Sequence, residues 1–385
     1  MSRFSALTPD FKNMQTYRRA LAKVNCYQPG KPIEEVKRAL GLGEVYKLAS
    51  NENPFIPFYI RKAINAELKN INRYPESSSF YLRKKLAKKL KINPGQLVFG
   101  NGSDELITLT LRAFVEKGDE VVVSCPTFLI YEIQARISGA KVLRVPANNL
   151  RYDLERMAGK ISRKTKVVFI ANPDNPTGTY LTAKEVGRFL AKIPKGVLVF
   201  FDEAYAEFAP KDFPKSLEIL KKRPNTIIAK TFSKAYGLAG LRIGYGITSK
   251  EIAGILNKIR EPFNINRFAQ VAAEAALDNQ NFLKKIISHV KREKRYLYRE
   301  LKKYSLSFGE SATNFVVVDF KKDTGKLCNY LLRKGVIIRE LKGWGLPRYF
   351  RVTVGLRKEN KKFIKYLREY VGARPAWPST KRGKP

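Results

Sequence analysis

Histidine is nearly missing from this 385-residue chain, with His289 the single example. A multi-histidine metal site is thereby excluded, and any Ser-His-Asp or Cys-His mechanism would have to run through this one residue. His289 sits in a basic, helix-like stretch that suits a plain surface role. Cysteine is scarce as well. Cys26, Cys125 and Cys328 are far apart and show no CxxC spacing, so neither a disulfide framework nor a zinc site is expected, and a reducing compartment fits. Acidic residues number 34 against 74 Lys and Arg, a net charge of +40. No apolar run reaches the roughly 18 residues that a bilayer requires, because charges interrupt each one, and no transmembrane span is expected. The opening Met1-Ser2-Arg3-Phe4-Ser5 carries an early cation, but Asp10 and Lys12 arrive before any apolar leader develops, which points to a cytoplasmic protein without a targeting segment.

What is present is globular in kind. Hydrophobic residues make up 44% of the chain and aromatics 11%, enough for two cores, and the length exceeds what one core usually organises. Two domains around a shared cleft are expected. The charge raises nucleic-acid binding as a reading, since basic chains often bind polyanions. Here the cations are spread along the whole chain, and Lys84, Lys85, Lys88 and Lys89 recur at helical spacing around Leu82, Leu86 and Leu90, as on a solvated helix face. No RNP, zinc-finger or basic-zipper pattern occurs.

From Leu97 onward, short apolar runs alternate with amphipathic stretches. The runs are 97–100, 121–124, 141–145, 167–170, 197–201, 226–231 and 242–247. This alternation predicts an α/β fold with a mainly parallel central sheet flanked by helices, whose ligands sit at the loops beyond the strand ends. A helix over 252–259, a break at Pro262 and a helix over 269–301 lead to a smaller α+β unit with strands near 314–320, 335–339 and 350–354.

Four segments at predicted strand ends carry chemistry. Thr231 to Arg242 is crowded with hydroxyls, glycines and two cations. A lysine that forms a Schiff base must be held rigidly and lose its proton easily, and Lys234 is the candidate, although alone, in so basic a chain, it reads more readily as a surface cation. Asp202, in Asp202-Glu203-Ala204-Tyr205, stands where a very apolar strand ends; a buried carboxylate there needs a cationic partner such as a protonated ring nitrogen, unless it caps a helix. The prolines of Asn172-Pro173-Asp174-Asn175-Pro176-Thr177-Gly178 fix a loop that can aim the Asn175 amide, or simply turn the chain. Gly100-Asn101-Gly102-Ser103-Asp104-Glu105 joins a strand to a helix and leaves free N–H groups suited to phosphate, a common type of turn.

Together these segments resemble the fold-type I pyridoxal-phosphate enzymes, and more closely the histidinol-phosphate aminotransferases. The likeness runs from Tyr27-Gln28-Pro29-Gly30-Lys31-Pro32 through Leu48-Ala49-Ser50-Asn51-Glu52-Asn53-Pro54 and Arg73-Tyr74-Pro75-Glu76 to Phe350-Arg351-Val352-Thr353-Val354-Gly355, in the family's order. It implies that Lys234 holds pyridoxal phosphate and moves the substrate proton, that Asp202 pairs with the ring nitrogen, and that Asn175 and Tyr205 hydrogen-bond the ring hydroxyl. It assigns the cofactor phosphate to Thr231, Ser233, Arg242 and the turn at Gly102, Ser103 and Asp104, and Tyr74 to a second subunit's site, so that a homodimer is implied. Phe128 falls where the family stacks an aromatic, often Tyr, on the cofactor ring. Arg339 and Arg351 match the arginines that grip the substrate phosphate or the glutamate carboxylate; without the resemblance each reads as a surface arginine. Tyr27 matches a residue that closes the substrate site, or else is a packed aromatic of the arm.

The implied reaction is transamination between L-histidinol phosphate and 2-oxoglutarate. The implied domains are an arm with part of the small domain over 1–50, a cofactor-binding domain over 51–265, a small domain over 266–371 and a disordered basic tail over 372–385. Ile56 stands where relatives usually have Gly, and Ser77-Ser78-Ser79 where they often have Pro or Gly, so substrate breadth is open to variation. An aromatic-amino-acid aminotransferase or threonine-phosphate decarboxylase of the same fold is an alternative, and a nucleic-acid-binding protein is the alternative from another class.

Overall fold

The computed structural model describes Leu21, Val24 and residues 26–372. The first 20 residues, which bear on a targeting segment, and the tail from residue 373 lie outside the described residues.

After a two-residue strand β1 (Tyr46–Lys47), the chain forms β2 (Leu97–Gly100), β3 (Glu120–Cys125), β4 (Lys141–Pro146), β5 (Thr165–Ala171), β6 (Leu198–Asp202), β7 (Thr226–Thr231) and β8 (Gly244–Ile247). These last seven make one sheet in the order β2-β8-β7-β6-β5-β3-β4. β8 runs antiparallel to both neighbours, and the remaining pairs are parallel. The central parallel strands are almost continuously apolar because helices cover both faces. Alternation divides the side chains between the faces: Val98, Ile227 and Ala229 enter one core, while Leu97, Phe99 and Ile228 enter the other. β8 begins two residues later than the sequence predicts, since Arg242 adopts a left-handed backbone at φ 56°.

The predicted helix over 269–301 is two helices, Arg267–Asp278 and Gln280–Lys302. They part at Asn279, whose side-chain oxygen accepts the Phe282 N–H at 3.1 Å and so caps the second helix. The first of the two supplies Ala269, Ala272, Ala273 and Ala276 to the core beneath the large sheet. The second packs, with helices Gly325–Arg333 and Arg357–Gly372, in a separate core with Val316, Val318, Phe350 and Val352. Strands β9 (Ser307–Phe308), β10 (Phe315–Asp319), β11 (Val336–Ile337), β12 (Arg339–Glu340) and β13 (Tyr349–Thr353) follow in that region, and β12-β13-β10-β9 form an antiparallel sheet. β1 pairs in parallel with β11, which lays the segment after Lys47 between the two sheets.

His289 corrects the sequence reading. It is buried, not on the surface: its Nε2 lies 3.0 Å from the Gly355 carbonyl oxygen and its ring meets Phe55 edge-on at 4.8 Å. Helical periodicity explains the difference, because His289 falls on the same inward face as Ile286, Val290 and Glu293.

Candidate active site

A cavity of about 440 Å³ opens at the carboxyl ends of β5, β6 and β7, where the segment 47–52 and the smaller sheet close over the larger one. Its size suits a cofactor with a small substrate. Tyr27, Ser103, Asp104, Phe128, Asn175, Asp202, Tyr205, Thr231, Ser233, Lys234, Arg242, Arg339 and Arg351 all line it. Gly102 lies just behind: a Cβ there would stand 2.3 Å from Arg242 Nη2, so only glycine admits the guanidinium. Tyr74 is elsewhere in the subunit. It is 78% exposed and stacks on Phe263 at 4.7 Å.

On the strand-end wall, Asp202 is the last residue of β6, and its carboxylate accepts the Tyr131 hydroxyl at 2.7 Å and the Ala204 N–H at 3.1 Å. Burial pushes it up to about 6, against the Tyr131 and Ala204 hydrogen bonds that favour the anion. No cation among the described residues forms an ion pair with it. Lys234 has the opposite shift. Burial, then the charge of Arg351, pulls its amine down to about 8. Its Nζ donates to the Ser50 carbonyl at 3.4 Å and lies 5.8 Å from the centre of the Tyr205 ring.

Beside them Ser233 Oγ is buried without a hydrogen-bond partner among the described residues. The Thr231 hydroxyl makes a long contact of 3.4 Å with the Ile243 carbonyl and accepts the Ser233 N–H at 3.1 Å. Helix Ser103–Phe114 starts here with its unpaired N–H groups, and Arg242 Nη2 sits 3.2 Å from Asp104 Oδ2. A hydroxyl without a partner, a helix N-terminus and a guanidinium together make a receptor for a doubly charged oxyanion.

The opposite wall holds two arginines. Arg339 on β12 and Arg351 on β13 are direct partners across the antiparallel pair, so both side chains emerge from one face of that sheet. Arg351 is buried, donates to Asn175 Oδ1 and, at 2.8 Å, to the Ala49 carbonyl, and leaves Nε without a partner. Burial draws it down to about 10, opposed by Tyr205, and it stays cationic at neutral pH. Arg339 is half-buried, donates to the Gln28 carbonyl, and packs over Trp344 at 5.0 Å and Tyr27 at 5.9 Å.

Two residues that the sequence does not single out, Asn51 and Tyr131, also shape the site. Asn51 Nδ2 donates to Tyr205 Oη at 2.9 Å, while its own N–H is held by Thr353 Oγ1 at 2.9 Å, 302 positions away. Its positive φ of 56°, which Asn tolerates better than most residues, is a signal the Ser-Asn-Glu-Asn-Pro cluster could have given. Tyr131 is marked only by its spacing three residues after Phe128 on a helical turn, which puts the two rings 5.6 Å apart.

Comparison with known proteins agrees with this geometry. The family model for aminotransferase class I and II matches residues 43–367. A histidinol-phosphate aminotransferase of Brevibacillus brevis is 44% identical over 90% of this chain and 95% of its own, and one from Mannheimia succiniciproducens is 43% identical over 89% and 94%. Among solved structures, the histidinol-phosphate aminotransferase of Sinorhizobium meliloti, determined in complex with pyridoxal-5'-phosphate, superposes with a TM-score of 0.86 at 30% identity, covering 94% of this chain and 99% of that one. With matches of this extent, the chain belongs to the class I and II aminotransferase family, and within it to the histidinol-phosphate aminotransferases.

Proposed function

We propose that the enzyme binds pyridoxal 5'-phosphate in the cavity at Lys234 and transfers the amino group between L-histidinol phosphate and 2-oxoglutarate, yielding imidazole-acetol phosphate and L-glutamate, as a step of histidine biosynthesis. The observation that carries the reading is the arginine pair, Arg339 and Arg351, in register across one sheet and facing the same cavity as a lysine with a lowered pKa.

The residues present fit the cofactor. Asp202 is a buried carboxylate that lacks a cation, which a protonated ring nitrogen supplies. The free Ser233 hydroxyl, Thr231, Arg242, Gly102, Ser103 and the helix N-terminus, with Asp104 orienting Arg242, would hold its phosphate. Asn175 and Tyr205 would bond the ring hydroxyl, and Phe128 would cover the ring face. When bound, pyridoxal phosphate supplies an electron sink for the bond broken at the amino-bearing carbon.

The remaining work falls to the chain. Lys234, with its amine drawn down to about 8, is unprotonated in a useful fraction near neutral pH; it can attach the cofactor and then carry a proton on Nζ. Arg339 and Arg351 bind the phosphate of one substrate and the carboxylate of the other in turn, and their guanidinium forks suit both anions. Tyr27, packed against Arg339, narrows the entrance and limits water. The exposed Tyr74 suits a homodimer in which it completes the neighbouring site. A cytoplasmic setting belongs to the same reading, in keeping with three cysteines that form no disulfide; no helix among the described residues is long and apolar enough to cross a membrane. The division of the chain near residues 50 and 265 is likewise proposed, with helix Arg267–Asp278 sharing the core of the larger part.

Supplied with L-histidinol phosphate and 2-oxoglutarate, the purified enzyme should form L-glutamate one for one. No L-glutamate from this pair, with carbon dioxide released when L-threonine O-3-phosphate is supplied alone, would contradict the proposal and indicate a decarboxylase.

A further inference from the structure

Asp174 lies in the Asn175 loop, yet it does not line the cavity. It is 2% exposed, so a carboxylate has been taken out of water without touching ligand space. Such burial is costly unless every lone pair is used. Here it is. Oδ1 lies 2.8 Å from the Thr127 hydroxyl and 3.1 Å from the Tyr152 hydroxyl, which are themselves 2.5 Å apart, so the two hydroxyl protons are shared within this three-oxygen cluster. Oδ2 accepts the Thr177 N–H at 3.1 Å and the Thr177 hydroxyl at 2.8 Å. No Lys or Arg among the described residues forms an ion pair with it.

The four donor groups belong to three residues, Thr127, Tyr152 and Thr177, and each of the three is linked to the cavity. Thr127 precedes Phe128, which lines it. Thr177 closes the turn that begins at Asp174 and contains Asn175, with the Gly178 N–H returning to the Asp174 carbonyl at 2.9 Å. The Tyr152 hydroxyl also receives the N–H of Ala171, the last residue of β5, at 3.1 Å. Thr127 reaches further: its carbonyl accepts the indole N–H of Trp344 at 2.9 Å, and that ring carries the Arg339 guanidinium. One buried carboxylate therefore ties together the Phe128 side of the cavity, the Asn175 side and, through Trp344, the arginine wall.

We propose that Asp174 is a positioning residue that fixes Phe128 and Asn175 at the separation cofactor binding requires, acting through Thr127 and Thr177 without contacting the ligand itself. The inference rests on the reading of Phe128 and Asn175 as cofactor contacts. Its energetic logic is preorganisation: side chains already held in place lose less freedom when a ligand arrives. Charge-assisted hydrogen bonds are the strong kind, so removing one of them should be felt at the loops they hold.

The test uses Asp174→Asn, which keeps the volume, and Thr127→Val, which removes only the hydroxyl beside Phe128. Full-length apo protein of each variant is titrated with pyridoxal phosphate, following the visible band, and its thermal midpoint is recorded separately. Each variant should bind the cofactor about tenfold or more weakly. The double variant should lose little beyond the larger single loss, because both act on one link. Undiminished affinity in the variants, with a normal wild-type band, would overturn the inference alone. Additive losses that merely follow a fall in the apo midpoint would overturn it too, by assigning Asp174 to general stability. A wild-type protein that develops no band would instead remove the cofactor reading on which the inference stands.

Discussion

The two walls of the cavity handle burial of charge in different ways. On the strand-end wall, Lys234 and Asp202 are both driven toward neutrality, the amine down to about 8 and the carboxyl up to about 6. On the opposite wall, Arg351 is drawn down to about 10 and so keeps its charge at neutral pH, while Arg339 shelters on aromatic rings. The residue types account for the contrast, since a lysine or aspartate can exchange a proton within reach of neutral pH and a guanidinium cannot. One wall is suited to chemistry that makes and breaks bonds, and the other to holding anions.

The largest effect should come from breaking the reactive wall. Lys234→Ala removes the only amine at that position and should lower turnover by at least about 10³-fold, measured as glutamate formation. A variant with more than a tenth of normal activity would refute the assignment.

Asp202→Asn should act in opposite directions on apo and loaded protein. In the apo protein the folded carboxyl is raised from 3.8 to about 6, so the native state binds more protons than the unfolded one between those values. Its stabilising contribution is complete below about pH 4 and is lost as pH rises through about 6. The variant should thus gain on the order of 3 kcal/mol over wild type at pH 7 and nothing near pH 4, read from denaturant unfolding of the apo form. Cofactor affinity should meanwhile fall by about 10²-fold, for want of a charge opposite the ring nitrogen. A variant that binds pyridoxal phosphate as tightly as wild type would place the ring elsewhere.

Arg339→Ala tests the anion-holding wall. Initial rates should show a KM for the phosphorylated substrate about 10- to 100-fold higher, as expected for losing a charge-assisted contact, and a much smaller change for a neutral analogue. Equal losses for the two would deny a phosphate role. Smallest should be Tyr131→Phe, which removes one hydrogen bond to Asp202 and should cost about 1 kcal/mol in unfolding experiments, with no change in KM.

Much of this was legible in the sequence where the signal is local. The strands over 97–100 and 226–231 are read to the residue, because short apolar runs bounded by polar turns leave little choice of register. The same alternation points to the loops beyond those strand ends, whereas Phe128, Tyr205, Arg339 and Arg351 are marked only by the family resemblance. What escaped depends on contacts between distant segments. Asn51 meets Thr353 and Tyr205 across much of the chain, and no window of sequence contains them together. In sequence Asp174 reads as part of a turn, and only Thr127 and Tyr152 arriving from other loops reveal what its carboxylate does. The basic neighbours of His289 in sequence suggest the surface, whereas the helix turns it toward Phe55 and Gly355. The break at Asn279 lies between two long helical stretches, where periodicity continues almost in phase and hides the cap.

The visible spectrum of the loaded enzyme, recorded as L-histidinol phosphate is added without a keto acid, reads both the binding of pyridoxal phosphate at Lys234 and the transfer of the amino group. The band of the lysine-bound cofactor should disappear on that addition and return when 2-oxoglutarate follows. A band that ignores both compounds, or no band after pyridoxal phosphate is supplied, would overturn the assignment of Lys234.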